Sequence, residues 1–324
     1  MNAIAINVEQ SESRQYEKCL ANARKVNWDI EKDVIRARTL NTRHKYLPDA
    51  LSRVNELSFL DTQEQRFLSQ VQGRSYAYIF GLVERFIGAK VMELSQEHAL
   101  GDQIVTEALV QFSAEELKHQ ALFRRMEALA DATLPAGYEM VADPSEVAQV
   151  VLAKSTWAVL GLTCHIEIFT QAHYLASIDN DAELSPLFRD VFKFHWQEES
   201  QHATLDELEW RRIHRQLSSE QVDTGVEDLI ELVLAVDTIL QAQSGADAAY
   251  FAANCGRQLD EQQQTRIADL VLKAYRWQYI VSGIQVERFQ KALSDKLSQR
   301  QLDQIFDALM PVIEHVNSHG CPQL

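Results

Sequence analysis

Residues that break helices are scarce over long stretches of this sequence. The 324 residues include only 11 glycines and 6 prolines, and 46% of them are hydrophobic. Long segments are rich in Ala, Leu, Glu and Gln, which favour helices, and no run of alternating strands with turn signals occurs. The sequence therefore predicts an all-α protein. Because no linker divides the chain, we expect residues 1–324 to form a single domain with additions at both termini.

Turn signals divide the central part of the sequence into four predicted helices. Gly101 ends the first, Asp102 can cap the second, and segment 132–146, with two prolines and a glycine, forms the longest connection. The loop IDNDAELSP separates the third helix from the fourth. The predicted central helices cover about 75–98, 102–130, 146–177 and 187–217, and later ones about 225–242, 260–293 and 298–317. The N-terminal 70 residues look helical but irregular.

The stretch HWQEESQH on the fourth predicted helix carries three potential metal ligands, His195, Glu199 and His202. At about 100° per residue, these positions differ in direction by no more than roughly 60°, so their side chains share one face. Phe188 and Phe192 continue that face, which predicts that it points into a core. Burying a carboxylate and two imidazoles is costly unless other groups compensate them.

A second Glu-x-x-His lies in SAEELKHQ, where Glu116 and His119 interrupt an apolar stripe. The first and third helices offer Glu84 and Glu167 on comparable faces. Dinuclear four-helix proteins take a Glu from each of two helices and a Glu-x-x-His from each of the other two. Glu84 and Glu116 are 32 residues apart, as are Glu167 and Glu199. In two helical hairpins, the members of each pair should therefore lie at the same height.

Four glutamates would balance the charge of two divalent metal ions. This balance makes burial of the ions tolerable, and neutral imidazoles add ligands without adding charge. Mixed carboxylate and imidazole ligands suit iron or manganese. We therefore expect residues 75–217 to form a metal-binding four-helix core that holds two iron ions, with manganese as the alternative.

The order Glu, Glu-x-x-His, Glu, Glu-x-x-His resembles the non-haem diiron carboxylate proteins of the ferritin-like superfamily. The pattern covers Tyr76 to about Glu209, less than half of the chain. The additional histidine gives His-x-x-x-Glu-x-x-His, which resembles the arylamine N-oxygenase family, typified by p-aminobenzoate N-oxygenase. The resemblance implies a ferritin-like four-helix bundle core with additional N- and C-terminal helices. It implies seven metal-binding and catalytic residues: Glu84, Glu116, His119, Glu167, His195, Glu199 and His202.

By this resemblance, the protein is an enzyme that uses dioxygen as a cosubstrate. The family oxidises a small-molecule amine through hydroxylamine and nitroso stages to a nitro compound, and its members are typically homodimers. Since the sequence has no obvious flavin or nicotinamide motif, a reductase or a small reductant must supply the electrons. Three alternatives stay open: an oxidase like the acyl-carrier-protein desaturases, which lack the additional histidine, a ferritin-like iron-binding protein or ferroxidase, and a manganese catalase or mixed Mn/Fe oxidase. A purely structural bundle is the limiting case.

Three residues are candidates for binding the substrate. Tyr76 lies about two turns before the glutamate of the first helix, and Gln171 lies one turn after that of the third. Arg276, in the otherwise apolar LVLKAYRWQYIVSGI, could pair with a substrate carboxylate. The structural alternatives are a core tyrosine and an arginine paired with an internal acid such as Asp237. No asparagine stands at position 171, where p-aminobenzoate enzymes are expected to contact the substrate carboxylate, so the substrate stays open.

Other histidines and acids have structural interpretations. His165 points about 200° away from Glu167, so a packed or hydrogen-bonded core histidine is expected. His98 and His173 are expected near helix ends or on the surface, and His195 could orient another ligand rather than bind metal. Three acids could replace a ligand if a helix face is misassigned: Glu93, Glu97 and Asp206. The last of these could instead orient a ligand histidine.

Composition bears on partners and on cellular location. The formal net charge of −16 disfavours nucleic acid and anionic membranes as partners. No apolar stretch reaches the roughly 18 residues of a membrane span, and the N-terminus does not look like a signal peptide. The cysteines form no CxxC, so a disulfide framework or zinc ribbon is not expected. We expect the cysteines to occupy buried apolar positions. They are Cys19, Cys164, Cys255 and Cys321. Together these features predict a cytoplasmic protein.

Overall fold

The computed structural model describes residues 3–318, with side chains from residue 12 onward. Within this range the chain is helical, and an isolated parallel bridge between Lys45 and Leu184 is its only β-type pairing. The α-helices are α1 Ala3–Ala23, α2 Asp49–Ser52, α3 Thr62–His98, α4 Gln103–Asp131, α5 Pro144–Leu152, α6 Thr156–His173, α7 Pro186–His214, α8 Ser219–Asn254, α9 Glu261–Arg276, α10 Ser282–Gln285, α11 Glu287–Ser294 and α12 Gln299–Asn317. The π-helical segments are Ile30–Ile35, Tyr174–Ile178 and Trp277–Val281, and Val54–Glu56 is a 3₁₀ turn. The predicted all-α fold is confirmed.

The helices α3 and α4 form a long hairpin that turns at Gly101. Asp102 caps α4 as predicted, because its carboxylate accepts the backbone N–H of Ile104 at 2.9 Å. At Gly88 of α3, an added Cβ would lie 3.1 Å from the Cβ of Glu116 on α4. The absence of a side chain at this glycine therefore lets α3 approach α4 closely at the level of a predicted ligand.

The first helix of this hairpin begins 13 residues earlier than the predicted start at Ser75. Asp61 accepts the backbone N–H of Glu64 at 2.9 Å, and the Glu64 carboxylate accepts the N–H of Asp61 at 2.8 Å. This reciprocal capping box satisfies donors that would otherwise be exposed at the helix start. It therefore places the start of α3 at Thr62.

The prediction of one continuous helix over 146–177 was wrong, since α5 ends at Leu152 and α6 begins at Thr156. Between them, the backbone N–H of Ser155 donates to the Asp228 carboxylate of α8 at 2.9 Å. A side chain 73 residues away thus takes an amide that a continuous helix would use internally. The predicted helix over 260–293 is also divided, with extended backbone at Val286 between α10 and α11.

The second hairpin pairs α6 with α7, and α7 also packs against α4. The remaining C-terminal helices surround this arrangement, with α8 against α6 and α9, and α12 against α8 and α9. The helix α8 is long and apolar enough to cross a membrane by length and composition. One such helix is weak evidence, because a core helix of a soluble protein passes the same test.

Candidate metal centre

The helices α3, α4, α6 and α7 bring the seven predicted ligands into one buried cluster, called here the Glu/His cluster. Each of its side chains is at most 3% exposed. Its members are Glu84 on α3, Glu116 and His119 on α4, Glu167 on α6, and His195, Glu199 and His202 on α7. Residues more than 100 positions apart in the sequence therefore meet inside the protein, as the two-hairpin prediction requires.

Within the cluster, two groups of four residues have ligand atoms that all lie within 4.8 Å of one another. The groups are Glu84, His119, His195 and Glu199, and Glu116, His119, Glu199 and His202. The centre of both is Glu199, whose Oε1 lies 3.0 Å from His195 Nε2 and 3.2 Å from His119 Nδ1. A carboxylate can bridge two metal ions, whereas an imidazole nitrogen binds one, so the overlap suits two adjacent ions.

The additional histidine, His195, lies among the ligand atoms rather than behind them. Its Nε2 lies 2.9 Å from Glu84 Oε1. On the other side of the cluster, Glu116 Oε1 lies 3.0 Å from His202 Nδ1. Glu167 lies beside the shared glutamate, and it belongs to neither group of four.

Many atoms that point into the cluster have no hydrogen-bond partner in the described part of the chain. They are Glu84 Oε2, both carboxylate oxygens of Glu116, His119 Nδ1, Glu167 Oε2, Glu199 Oε1 and His202 Nδ1. Buried polar atoms are nearly always hydrogen-bonded, because leaving one unpaired costs about 1–3 kcal/mol. Carboxylate oxygens and imidazole nitrogens are donors that iron and manganese accept. The residues therefore fit divalent metal ions.

Two further carboxylates, which the sequence analysis did not identify, hold the ligand histidines from behind. His119 Nε2 of α4 lies 2.9 Å from Glu198 Oε2 of α7, and His202 Nε2 of α7 lies 2.9 Å from Glu115 Oε2 of α4. Since a carboxylate accepts, each Nε2 donates, and Nδ1 is the ring nitrogen that faces the cluster. The signal for these residues was present, because both motifs read Glu-Glu-x-x-His.

The carboxyl groups of the cluster cannot all carry a negative charge unless positive charge lies among them. Burial raises the pKa of Glu84, but the neighbouring side chains of Glu116 and His119 outweigh it and lower that pKa to about 2. Burial and the negative charge of Glu84 raise the pKa of Glu116 well above its usual range. Burial and the charge of Glu199 do the same to the pKa of Glu167.

The pKa values of two histidines in the cluster are raised as well. Burial lowers the pKa of His119, but its hydrogen bond with Glu198 and the negative charge of Glu84 outweigh burial and raise it to about 10. The pKa of His202 is also raised well above its usual range, since the charge of Glu199 and the Glu115 contact outweigh burial. Protons thus collect among the carboxylates. Bound cations would supply the same positive charge and displace those protons.

Tyr76 is fully buried and does not reach the ligand atoms. Its hydroxyl lies 3.0 Å from His173 Nδ1, and its ring contacts Phe80 and Phe192 at centroid distances of 4.6 and 5.1 Å. The same two phenylalanines contact the ring of His195, at 5.6 and 6.3 Å. The tyrosine therefore belongs to an aromatic layer that lies next to the cluster.

Gln171 lies at the edge of the cluster and connects two of its helices. Its Nε2 donates to the backbone oxygens of Glu167 on α6, at 2.9 Å, and Glu199 on α7, at 3.2 Å. Arg276 is not brought to the cluster. Its guanidinium forms two hydrogen bonds with Asp237 of α8, at 2.7 and 2.8 Å. Arg276 therefore pairs with an internal acid, which was the structural alternative to a contact with substrate.

The other histidines have structural partners. His165 is buried and its Nε2 lies 3.1 Å from the oxygen of Ile280, while burial lowers its pKa to about 4. His98 is the last residue of α3, as expected for a position near a helix end. The expectation was wrong for His173, which is fully buried and is followed by the π-helical segment Tyr174–Ile178. His98 Nε2 lies 3.1 Å from Glu209. None of these rings belongs to either group of four ligands.

The acids considered as replacement ligands lie outside both groups of four. Glu93 pairs with Lys90, and Glu97 pairs with Arg212, at 2.8 Å in each case. Asp206 is buried, and burial raises its pKa to about 7. The carboxylates that hold ligand histidines from behind are instead those of Glu198 and Glu115. Among the cysteines, two are buried and one is partly buried, and all three are unpaired thiols: Cys19, Cys164 and Cys255. The fourth, Cys321, lies outside the described residues.

No family model matches this sequence, and a comparison with curated proteins finds no significant match. The interpretation of the cluster therefore depends on its own residues and geometry.

Proposed function

We propose that the protein is a non-haem diiron oxygenase whose Glu/His cluster binds two iron ions in a ferritin-like four-helix bundle. The observation that carries the proposal is the overlap of two four-residue ligand groups, which share Glu199 and His119. A single buried ion would leave one group without a cation. Manganese is the alternative metal, because the same ligand types accept it.

Charge supports two divalent ions in particular. The four glutamates of the cluster supply four negative charges and its three histidines can bind as neutral imidazoles, so two divalent ions make the assembly neutral. The outer carboxylates Glu115 and Glu198 keep the ring protons on the far nitrogens of His202 and His119. Both histidines are therefore prepared to bind metal through Nδ1.

The reaction that we propose is oxygenation of a small organic substrate, with an amine nitrogen as the acceptor. When bound, the two irons would supply the capacity to reduce dioxygen. For the first stage, an amine, one dioxygen, two electrons and two protons give a hydroxylamine and one water. The two electrons come from an external reductase or small reductant.

The protein itself excludes water from this chemistry. Phe112 stacks on the ring of His202 at a centroid distance of 3.9 Å. Phe123 and Phe80 contact the ring of His195 edge-on, at 5.0 and 5.6 Å. Such an apolar cover strengthens electrostatic interactions at the metals and protects reactive species from side reactions. A cytoplasmic location and a homodimer belong to the proposal as predictions from the sequence.

One observation favours a second candidate, an oxidase similar to acyl-carrier-protein desaturases. A mostly apolar cavity of about 520 Å³, called here the outer cavity, lies between α6, α8, α11 and α12. Such a space could hold an acyl chain. The position of His195 among the ligand atoms argues for the N-oxygenase, because the desaturase pattern lacks this histidine.

The test is to load the chelator-treated protein with ferrous iron without oxygen, count the bound metal, and then add ¹⁸O₂, a reductant and an arylamine such as 4-butylaniline. We expect two irons per chain and one ¹⁸O atom in the first product, measured by mass spectrometry. The variants Glu84→Ala and Glu116→Ala should lose most of the metal. Glu93→Ala is the matched control, since this glutamate is also on α3 but is exposed.

Full metal content in both ligand variants would overturn the metal site. Two bound irons that oxidise without transfer of ¹⁸O to any amine would instead support a ferroxidase. Introduction of a double bond into an acyl substrate would support the desaturase-like candidate. His195→Ala should keep two irons but change the oxygen chemistry, and unchanged chemistry would remove the main support for N-oxygenation.

A further inference from the structure

The outer cavity opens at the surface and is large enough for a small organic molecule. Its volume of about 520 Å³ lies within the range of roughly 300–1,000 Å³ that is usual for ligand sites. Apolar side chains such as Leu229, Ile230 and Val233 of α8 form its wall, and the exposed Phe306 of α12 lies at its opening. A hydrophobic ligand could therefore pack against this wall.

A second, smaller space of about 70 Å³, called here the inner cavity, lies between the outer cavity and Phe80. Leu162, Val236 and Tyr279 line both spaces, so the two cavities share a wall. The other side chains that line the inner cavity are aliphatic or aromatic. Both spaces are mostly apolar and border on these three residues, which are called here the constriction.

The far end of the inner cavity reaches the aromatic cover of the Glu/His cluster. Phe80 lines this cavity, and its ring contacts the ring of His195 at a centroid distance of 5.6 Å. Ile166 also lines it and precedes Glu167 on α6. Between the constriction and the aromatic cover of the cluster, the side chains that line the inner cavity therefore carry no charge.

At the constriction, Tyr279 carries a hydroxyl that has no hydrogen-bond partner among the described residues. The residue is 6% exposed, and its hydroxyl is buried. It lies in the π-helical segment Trp277–Val281, and such segments are frequent at functional sites. A ligand that carries one hydrogen-bonding group could satisfy this hydroxyl as it passes.

The charges at the opening limit the ligand class. Glu287, Lys291 and Asp303 line the outer cavity, and the Lys291 ammonium lies 2.8 Å from the Asp295 carboxylate. The opening is therefore net negative, and the described lining contains no arginine. A carboxylate ligand would find repulsion there, whereas a neutral or protonated amine would not.

We propose that the two cavities form the binding site and entry route for a hydrophobic amine that carries no carboxylate, with Tyr279 as the hydrogen-bonding residue at the constriction. This inference rests on the proposed function, because it takes the Glu/His cluster as the destination. It narrows the substrate class from any arylamine to amines with an apolar body.

The test measures binding without turnover. Under anaerobic conditions, 4-butylaniline and the matched carboxylate 4-butylbenzoate are titrated into the full-length protein by calorimetry, both metal-free and iron-loaded. We expect the amine to bind at least tenfold more tightly than the carboxylate. Val236→Phe, which fills the shared wall, should weaken amine binding at least tenfold and leave the metal content unchanged.

The matched control is Leu234→Phe, on the same helix but with its side chain 41% exposed and outside both cavities. It should bind the amine as wild type does. Val233→Phe in the outer cavity replaces Val236→Phe if that variant does not fold. Tyr279→Phe should weaken amine binding several-fold without lowering Tm, since the hydroxyl has no internal partner to lose.

Equal binding by wild type and both cavity variants, no binding of the amine to wild type, or tighter binding of the carboxylate would overturn this inference. The two proposals fail separately. If the cavity variants weaken amine binding but no ¹⁸O reaches the amine, the binding site stands and the oxygenase function fails. If ¹⁸O is transferred while the cavity variants bind normally, the function stands and the entry route fails.

Discussion

Two buried polar clusters in this protein differ in whether the oxygens of their carboxylates are hydrogen-bonded. Around Asp247, the hydroxyls of Ser75 and Tyr275 donate to Oδ2, and Gln243 donates to Oδ1 at 2.8 Å. These four residues are called here the Asp247 cluster. In the Glu/His cluster, by contrast, Glu116 has two carboxylate oxygens without a hydrogen bond.

Both sets of carboxylates are almost completely inaccessible, with Asp247 and Glu116 each 0% exposed. Burial therefore does not distinguish a structural acid from a metal ligand. The distinction lies in whether the chain itself supplies donors to the oxygens. The Asp247 cluster is complete as folded, whereas the Glu/His cluster has unsatisfied oxygens that the cations of our proposal would complete.

The largest effect is expected for Glu199→Ala, because this residue belongs to both ligand groups. Metal affinity should fall by more than about 100-fold, measured by equilibrium dialysis and elemental analysis. Glu207→Ala, on the same helix but paired with Arg288, should bind metal normally. If Glu199→Ala kept the metal content of wild type, the Glu/His cluster would not differ from the Asp247 cluster in binding metal.

Asp247→Ala should instead lower the free energy of unfolding by about 3 kcal/mol, because it leaves buried hydroxyl and amide donors without their acceptor. Urea denaturation measures this change. The metal content of the folded variant should equal that of wild type. A variant that keeps its stability but loses metal would mean that the Asp247 cluster serves the metal centre.

Glu198→Gln and Glu115→Gln test whether the outer carboxylates act through the ligand histidines. Each should weaken metal binding by about 10- to 100-fold, since the charged acceptor behind His119 or His202 becomes neutral. Metal titration in competition with a chelator gives the affinities. If only one variant has an effect, the two carboxylates do not have equivalent roles.

The buried histidines allow a test by pH. Burial and the nearby His165 lower the pKa of His173 to about 3, so its folded pKa lies far below its usual value of about 6.5. The unfolded chain then binds a proton that the folded chain does not. This contribution to stability is full above about pH 6.5 and is lost as the pH falls towards the folded pKa.

Between pH 6.5 and 5.5, His173 should account for a loss of about 1 kcal/mol in the free energy of unfolding. His173→Gln should show a shallower pH dependence by that amount, measured by urea denaturation at each pH. Identical slopes for the variant and wild type would show that His173 takes up its proton in the folded state.

The smallest effect has the opposite sign from that of Asp247→Ala. In chelator-treated protein, Glu116→Gln should raise the free energy of unfolding by about 1 kcal/mol, because it removes a carboxyl group that repels Glu84. Thermal denaturation without metal measures this change. A loss of stability would show that Glu116 is satisfied without a cation.

Much of the arrangement follows from local regularities in the sequence. Helical periodicity placed His195, Glu199 and His202 on one face, and equal spacings predicted the meeting of Glu84 with Glu116. Asp102 identified a helix start, because a cap acts on neighbouring amides. These features depend on contacts within a few residues or on the constant rise of a helix.

Other features depend on contacts between distant residues and could not be predicted in this way. The break before Thr156 arises because Asp228 on another helix accepts the Ser155 amide. Similarly, Arg276 is held by Asp237, 39 residues earlier, so composition alone could not decide between a substrate contact and an internal pair. Glu198 precedes Glu199 on α7, but its carboxylate holds His119 of α4, while Glu115 of α4 holds His202 of α7. This exchange of supporting carboxylates between the two helices appears only in three dimensions.

The exchange has a consequence for the motions of the two helices. Each of α4 and α7 carries a ligand histidine together with the carboxylate that holds the other helix's histidine. Neither helix can therefore rotate or slide without separating both pairs at once. The two helices should open as one cooperative unit, so their central amide protons should exchange with solvent at a common rate, and metal binding should slow that rate equally for both.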